Sequence, residues 1–115
     1  MPGVYTVTQM NSYIKNMFRQ DFVLSRISVK GEVSNCKYHT SGHIYFSLKD
    51  GQGVMSAIMF AGSAKNLEFR LENGMQVIVS GRIDVYERDG KYQLYANAIE
   101  VDGQGDLYKQ FEALK

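Results

Sequence analysis

Cysteine occurs only at Cys36, so no disulfide can form within the chain, and a reducing compartment suits it. No apolar run approaches the ~20 residues of a membrane-spanning helix. The opening residues show no cationic segment followed by an apolar one, so no secretion signal is read and a cytoplasmic location is expected. A charge excess is missing too: the net charge of +1 gives no overall basic field to announce a polyanionic partner. His39 and His43 are the only histidines, and they stand across a loop with no third ligand nearby, which makes a poor zinc site. There is no Walker-type glycine loop. Acidic residues are scattered rather than clustered as a hydrolytic Mg²⁺ site requires. No catalytic constellation, metal site or cofactor site is expected in these 115 residues.

What is present is a turn-rich β pattern with eleven glycines and one proline. Residues 5–20 read as a helix opened by a capping box, with Thr6 at the N-cap and Gln9 reaching back. Its spacing predicts that Met10, Ile14, Met17 and Phe18 face a core while Lys15, Arg19 and Gln20 face solvent. A first strand from Ile27 turns Ile27, Val29 and Val33 inward, with Gly31 marking a bulge or bend. Residues 35–42 read as a polar loop. A second strand from His43 turns Ile44, Phe46 and Leu48 inward, and His43, Tyr45, Ser47 and Lys49 outward. A hairpin turn at 50–53 leads to a third strand, residues 54–60, whose facing the pattern leaves open. A short helix, capped at Ser63, is predicted within 61–69. Val77, Val79, Gly81, Ile83 and Val85 alternate inward along a fourth strand, and Asp89-Gly90 signals a hairpin. The fifth strand, 92–101, puts Leu94 and Ala96 inward, then slips before Ile99 and Val101 return to the core. Asp106 can cap a last helix carrying Leu107, Phe111 and Leu114.

Strand order β-β-β-α-β-β with a glycine-bent first strand is that of the OB fold, a mainly β, five-stranded Greek-key barrel. An SH3-like barrel is the alternative, but it normally lacks the helix after the third strand. Residues 1–22 are expected to form a helical extension, 23–102 the barrel, and 103–115 a linker and the start of a helix leading onward in a longer protein. OB folds bind ligands over the second and third strands and the loops joining strands one–two and four–five. Between Arg26 and Lys49 four cations stand against one anion, concentrated where that ligand would lie. Lys30, Lys37 and Lys49 are interleaved with Tyr38, His39, His43 and Tyr45, and rings stack on bases at ~1–3 kcal/mol each. Arg82, Arg88 and Lys91 extend the candidate set. Phe60 is either a stacking platform or, by the general habit of Phe, core. Each of these residues also has a plain reading as part of a solvated β face, and small OB domains also serve as protein-docking modules.

The blocks YTVTQMNSYIKNMF, GEVSNCKYHTSGHIYFSLKD, AIMF, ENGMQVIVSGRIDVYERDGKYQL and GDLYKQFEALK resemble, in register, the N-terminal region of exodeoxyribonuclease VII large subunits. The resemblance implies an OB domain that binds nucleic acid, here single-stranded DNA. It implies a full enzyme that degrades single strands exonucleolytically from either end. It also implies several copies of a small helical subunit, bound further along the large chain, and catalytic residues that lie after this region. Ser56 stands where the family often has a basic residue, so the resemblance implies one weaker phosphate contact here.

Overall fold

The computed structural model describes residues 3–102. The predicted helix from Asp106 lies outside the described residues. Element order is α1 (Val7–Gln20), α2 (Phe22–Ser25), β1 (Ile27–Tyr38), β2 (Ile44–Lys49), β3 (Val54–Met59), α3 (Ala61–Ala64), β4 (Gln76–Tyr86) and β5 (Lys91–Val101). The strands close a barrel in the order β1-β2-β3-β5-β4. Four of its seams are antiparallel. The fifth, between β3 and β5, is parallel and carries only two register pairs, Ala57 with Leu94 and Ile58 with Tyr95.

Alternation accounts for most of the core. Val33, Ile44, Phe46, Leu48, Val77, Val79, Ile83, Leu94 and Ala96 all face the interior and are buried. Each large side chain among them contributes ~1.5–3 kcal/mol by leaving water. Leu71, from the segment between α3 and β4, is 1% exposed and closes one part of the interior. On β3 the open question of facing resolves toward Met55, Ala57 and Met59 as core-side residues. Ile58 is buried too, but on the outer face of the barrel and outside the core cluster.

Gly31 does not hold a bulge. It sits where β1 passes from pairing with β4 to pairing with β2, and a Cβ there would lie 3.0 Å from the Lys49 carbonyl oxygen. The bulge comes later, between Ser34 and Lys37, with Asn35 at a φ of 51°. Residues 35–38, read as loop, are therefore strand, because one left-handed residue absorbs the break in alternation and pairing resumes. Asn73 reinforces this by accepting a hydrogen bond from the Cys36 N–H at 2.8 Å. The slip in β5 falls at Asn97, opposite the Ser80–Gly81 step, where a Cβ on Gly81 would lie 1.9 Å from the Tyr95 carbonyl oxygen. Ile99 returns to the core as expected, whereas Val101 is 37% exposed. The helix after β3 is one turn long, and Ser63 lies inside it rather than capping it; Phe60 is the N-cap and makes no side-chain capping bond.

The largest departure concerns α1. Its capping box forms as the sequence dictates: Thr6 Oγ1 accepts from the Gln9 N–H, and Gln9 Oε1 accepts from the Thr6 N–H. The helix nevertheless docks by its polar side. Lys15 Nζ donates to the Val85 carbonyl at 2.7 Å and lies 3.4 Å from Asp84 Oδ2, and Arg19 reaches the same carboxylate at 3.6 Å. Asn11 donates to the Glu87 carbonyl, and Ser12 donates to the Glu87 carboxylate. Of the four apolar residues predicted to face inward, Phe18 packs against the core, its ring 6.4 Å from Tyr92. Met10, Ile14 and Met17 remain exposed.

Asp84 explains the reversal. It is 3% exposed, and an unpaired carboxylate there would cost several kcal/mol. Burial alone would push its carboxyl pKa up. The Val85 N–H at 2.8 Å and the cations of Lys15 and Arg19 outweigh that, and hold it below the usual aspartate range. Hydrophobic periodicity carries no trace of such a demand, because the demand arises on another element.

Candidate nucleic-acid interface

The barrel's register builds one outward row across all five strands. Lys37 pairs with Tyr45, Tyr45 with Ile58, Ile58 with Tyr95, and Tyr95 with Arg82. Paired residues share a face, so the row runs cation, ring, aliphatic, ring, cation. Ile58, 6% exposed between two tyrosines, forms its floor.

A second rank of rings lies along this row. Phe60, just beyond the end of β3, is 44% exposed and stacks on Tyr95 with centroids 5.8 Å apart and planes at 28°. This settles its facing: Phe60 is a surface ring, not core. His43 meets Phe60 edge-on at 5.2 Å and Tyr45 at 6.4 Å, and His39 meets Tyr45 at 6.1 Å. His43 is fixed by the Ala61 N–H, which donates to Nδ1 at 2.9 Å; the proton of the neutral ring is therefore on Nε2. His39 is held in its turn by Ser41, whose hydroxyl lies 2.8 Å from Nδ1. Neither histidine belongs to a group of three potential metal ligands among the described residues.

Arg82 ends the row. Its guanidinium carbon lies 4.8 Å from the centre of the Tyr95 ring, and its Nε lies 3.9 Å from Asp84. The half-exposed side chain is held over the ring while its charge still faces water, a geometry worth ~0.5–1 kcal/mol at such a site. Tyr95 did not emerge from the sequence as a site residue. The signal was there: with Leu94 and Ala96 inward, alternation turns Tyr95 outward onto the strand beside β3.

The other candidates divide. The bulge in β1 turns Lys37 outward and gives Tyr38 the register of the core residue Ile44. Tyr38 is consequently off the row. Its hydroxyl accepts from the Leu71 N–H at 2.6 Å and lies 3.1 Å from the Leu71 carbonyl, and Arg70 covers its ring at 4.3 Å. Lys49 lies four residues from Tyr45 on β2, ~13 Å along the strand, and pairs with Glu32 at 3.6 Å. Lys30 is exposed on β1 beyond Glu32. The +3 balance of this stretch is thus spread along the barrel rather than gathered in one patch. Between its ends lies a register row of small hydroxyls, Ser34, Ser47 and Ser56. Ser56 is exposed there, so the surface beside the rings is shallow. Arg88 and Lys91 stand exposed on the β4–β5 hairpin, whose base α1 braces through Glu87.

A closed five-strand barrel of this order, with rings across its β2–β3–β5 face and cations on the flanking strands β1 and β4, defines an OB-fold nucleic-acid-binding domain. The family model described as "OB-fold nucleic acid binding domain" matches residues 5–100, and the chain belongs to that family. Within it, the chain is 66% identical over all 115 residues to the exodeoxyribonuclease 7 large subunit of Lachnoclostridium phytofermentans, and 56% identical over 110 residues to that of Clostridium botulinum strain Okra. Those alignments take in 100% and 96% of this chain, but 29% and 27% of the relatives, so the chain spans under a third of the curated relatives' length. Among solved structures, a chain of a replication protein A heterotrimer bound to single-stranded DNA superposes with a TM-score of 0.55 at 17% identity. The match covers 79% of this chain and 70% of that one, a likeness of fold.

Proposed function

We propose that this chain is the single-stranded DNA-binding domain of an exodeoxyribonuclease VII large subunit, and that it holds the strand for a nuclease region elsewhere in the parent protein. The observation that carries this reading is the register row Lys37–Tyr45–Ile58–Tyr95–Arg82, with Phe60 and His43 alongside. Bases stack on Tyr45, Tyr95 and Phe60, whose faces accept any base. Lys37 and Arg82 take phosphates at the two ends, and Arg88 and Lys91 extend the track along the hairpin. Lys30 and Lys49 lie farther off and contribute less. His39 and His43 act as ring walls rather than metal ligands. Tyr38 serves the barrel rather than the strand.

In the parent, the same resemblance supports exonucleolytic hydrolysis of single-stranded DNA from both ends, in the cytoplasm, with a small helical subunit bound outside this region. The domain contributes grip and orientation, not bond cleavage. No helix among the described residues is long and apolar enough to cross a membrane.

Titration with oligo-dT, followed by amide shifts, tests the reading. Shifts are expected at Lys37, Tyr45, Ile58, Phe60, Tyr95 and Arg82. Shifts centred instead on α1, or none at saturating oligonucleotide, would sink it and favour protein docking as this domain's role.

A further inference from the structure

Beyond Arg82 the ring row borders a polar cleft. Strands β1 and β4 pair Ser28 with Ser80 and Ile27 with Gly81. The next position on each strand is an arginine: Arg26 precedes Ile27, and Arg82 follows Gly81. The cleft has a volume of about 380 Å³, and Arg26, Ser28, Ser80, Gly81 and Asn97 line it. Its donors are uncommitted. Arg26 is exposed and joins none of the ion pairs among the described residues. The Ser28 and Ser80 hydroxyls lie 2.8 Å apart, so one proton serves the bond between them and the other is left to donate outward. Asn97, which the slip in β5 leaves out of the β4 register, makes no side-chain hydrogen bond among the described residues. No carboxylate lines the cleft. The cavity beside the β2–β3 turn is different: there Lys30 and Lys49 share the lining with Glu32 and Asp50, and Lys49 is already paired. One free guanidinium among neutral side-chain donors is the set that binds phosphate oxygens of a nucleic-acid backbone.

We infer that this cleft is a further phosphate-binding site, and that a strand lying on the ring row continues past Arg82 into it. Arg26 holds the phosphate, while the Ser28–Ser80 pair and Asn97 donate to its oxygens. The inference rests on the ring row being the DNA-binding face. From Lys37 to Arg82 the row crosses four inter-strand steps, ~19 Å at ~4.8 Å each, and Arg26 adds one more as the strand follows the barrel round. A short oligonucleotide is served by the row alone, and the cleft is occupied only by a longer one.

Oligo-dT of two lengths tests this on the 115-residue chain, about four nucleotides to cover the row and about twelve to pass it. The short one should shift the amides of Tyr45, Phe60 and Tyr95 and leave the Arg26 Nε–H and the Asn97 side-chain amide unmoved. The long one should shift both sets. Arg26→Gln should weaken the long oligonucleotide about threefold and flatten its salt slope by ~0.7, the value of one phosphate on a single strand. Binding of the short one and the urea midpoint should not change, and Arg26→Lys should keep the slope. Asn97→Asp, which puts a carboxylate into the cleft, should also weaken only the long one. Inorganic phosphate alone, at the phosphate concentration of the titration, should move neither cleft signal. Row shifts with a silent cleft, or an unaltered slope in Arg26→Gln, overturn the inference and leave the ring row standing. So does saturation of the cleft by inorganic phosphate alone, which would make it a free-anion site. Absence of shifts on the row removes the row's reading and this one together.

Discussion

Two apolar surfaces stand open among the described residues, and they differ in what accompanies the carbon. On the β2–β3–β5 face the exposed groups are flat rings, and cations bracket them: Lys37 at one end, Arg82 at the other. On α1 and α2 they are mostly flexible or branched chains, Val7, Met10, Ile14, Met17 and Val23, with no cation among them. Rings beside cations suit a partner with π-faces and phosphates, whereas uncharged aliphatic surface suits another protein. Equal exposure therefore does not mean equal function; the neighbours of an apolar group decide its partner.

The sharpest way to break this comparison is to strip the rings. Replacing Tyr45, Phe60 and Tyr95 together by Ala should weaken oligo-dT binding by at least two orders of magnitude, since stacking is worth ~1–3 kcal/mol per base. Fluorescence anisotropy measures it, and the Ile14→Glu, Met17→Glu variant should bind within about twofold of the parent. Loss of binding in the helix variant would merge the two surfaces into one.

Next in size is the hinge between the two regions, Asp84, which bonds α1 through Lys15 and Arg19 and steadies Arg82. Asp84→Asn should lower stability by roughly 2 kcal/mol, because a partly buried lysine loses its counter-charge. Urea unfolding would show it as a lower midpoint at unchanged slope. Asp84 also has a pH signature. Its folded pKa is depressed, so its stabilisation is complete above the unfolded value of ~3.9 and fades as pH falls through the folded value. The acid limb of the stability curve should flatten in the Asn variant. An unchanged limb would assign acid sensitivity to other carboxylates.

The smallest effect concerns charge alone. With about four phosphates neutralised, by Lys37, Arg82, Arg88 and Lys91, log K should fall against log[salt] with a slope near −3, from ~0.7 per phosphate on single strands. Lys37→Gln should reduce that slope by ~0.7, while Lys49→Gln, already paired with Glu32, should change it less. Equal slopes for both variants would mean that the track follows β2 rather than crossing the strands.

Much of the barrel was legible because its strands obey a period of two, and because glycines and Asx residues mark its corners. The site was half legible. Tyr45, His43 and Arg82 could be placed outward from alternation alone. The side on which Tyr38 and Lys37 fall depends on one bulge residue, Asn35, and nothing local announces that the strand continues past it. Phe60 was undecidable by pattern, because its facing is set by the ring of Tyr95 on a strand thirty-five positions away in the chain. The orientation of α1 was misread for the same reason. Periodicity shows that a helix has an apolar side, but Asp84 on β4 determines which side is turned down.

The narrow parallel seam has one more consequence. Ile58 and Tyr95 form half of the pairing that joins β3 to β5, and they are also the centre of the ring row. A strand of DNA stacked across Tyr45 and Tyr95, as proposed, would lie over the barrel's thinnest closure, like a clasp over the place where a bracelet opens. Occupancy should quiet the breathing of this join, and the backbone amides along it should exchange with deuterium more slowly when oligonucleotide is bound.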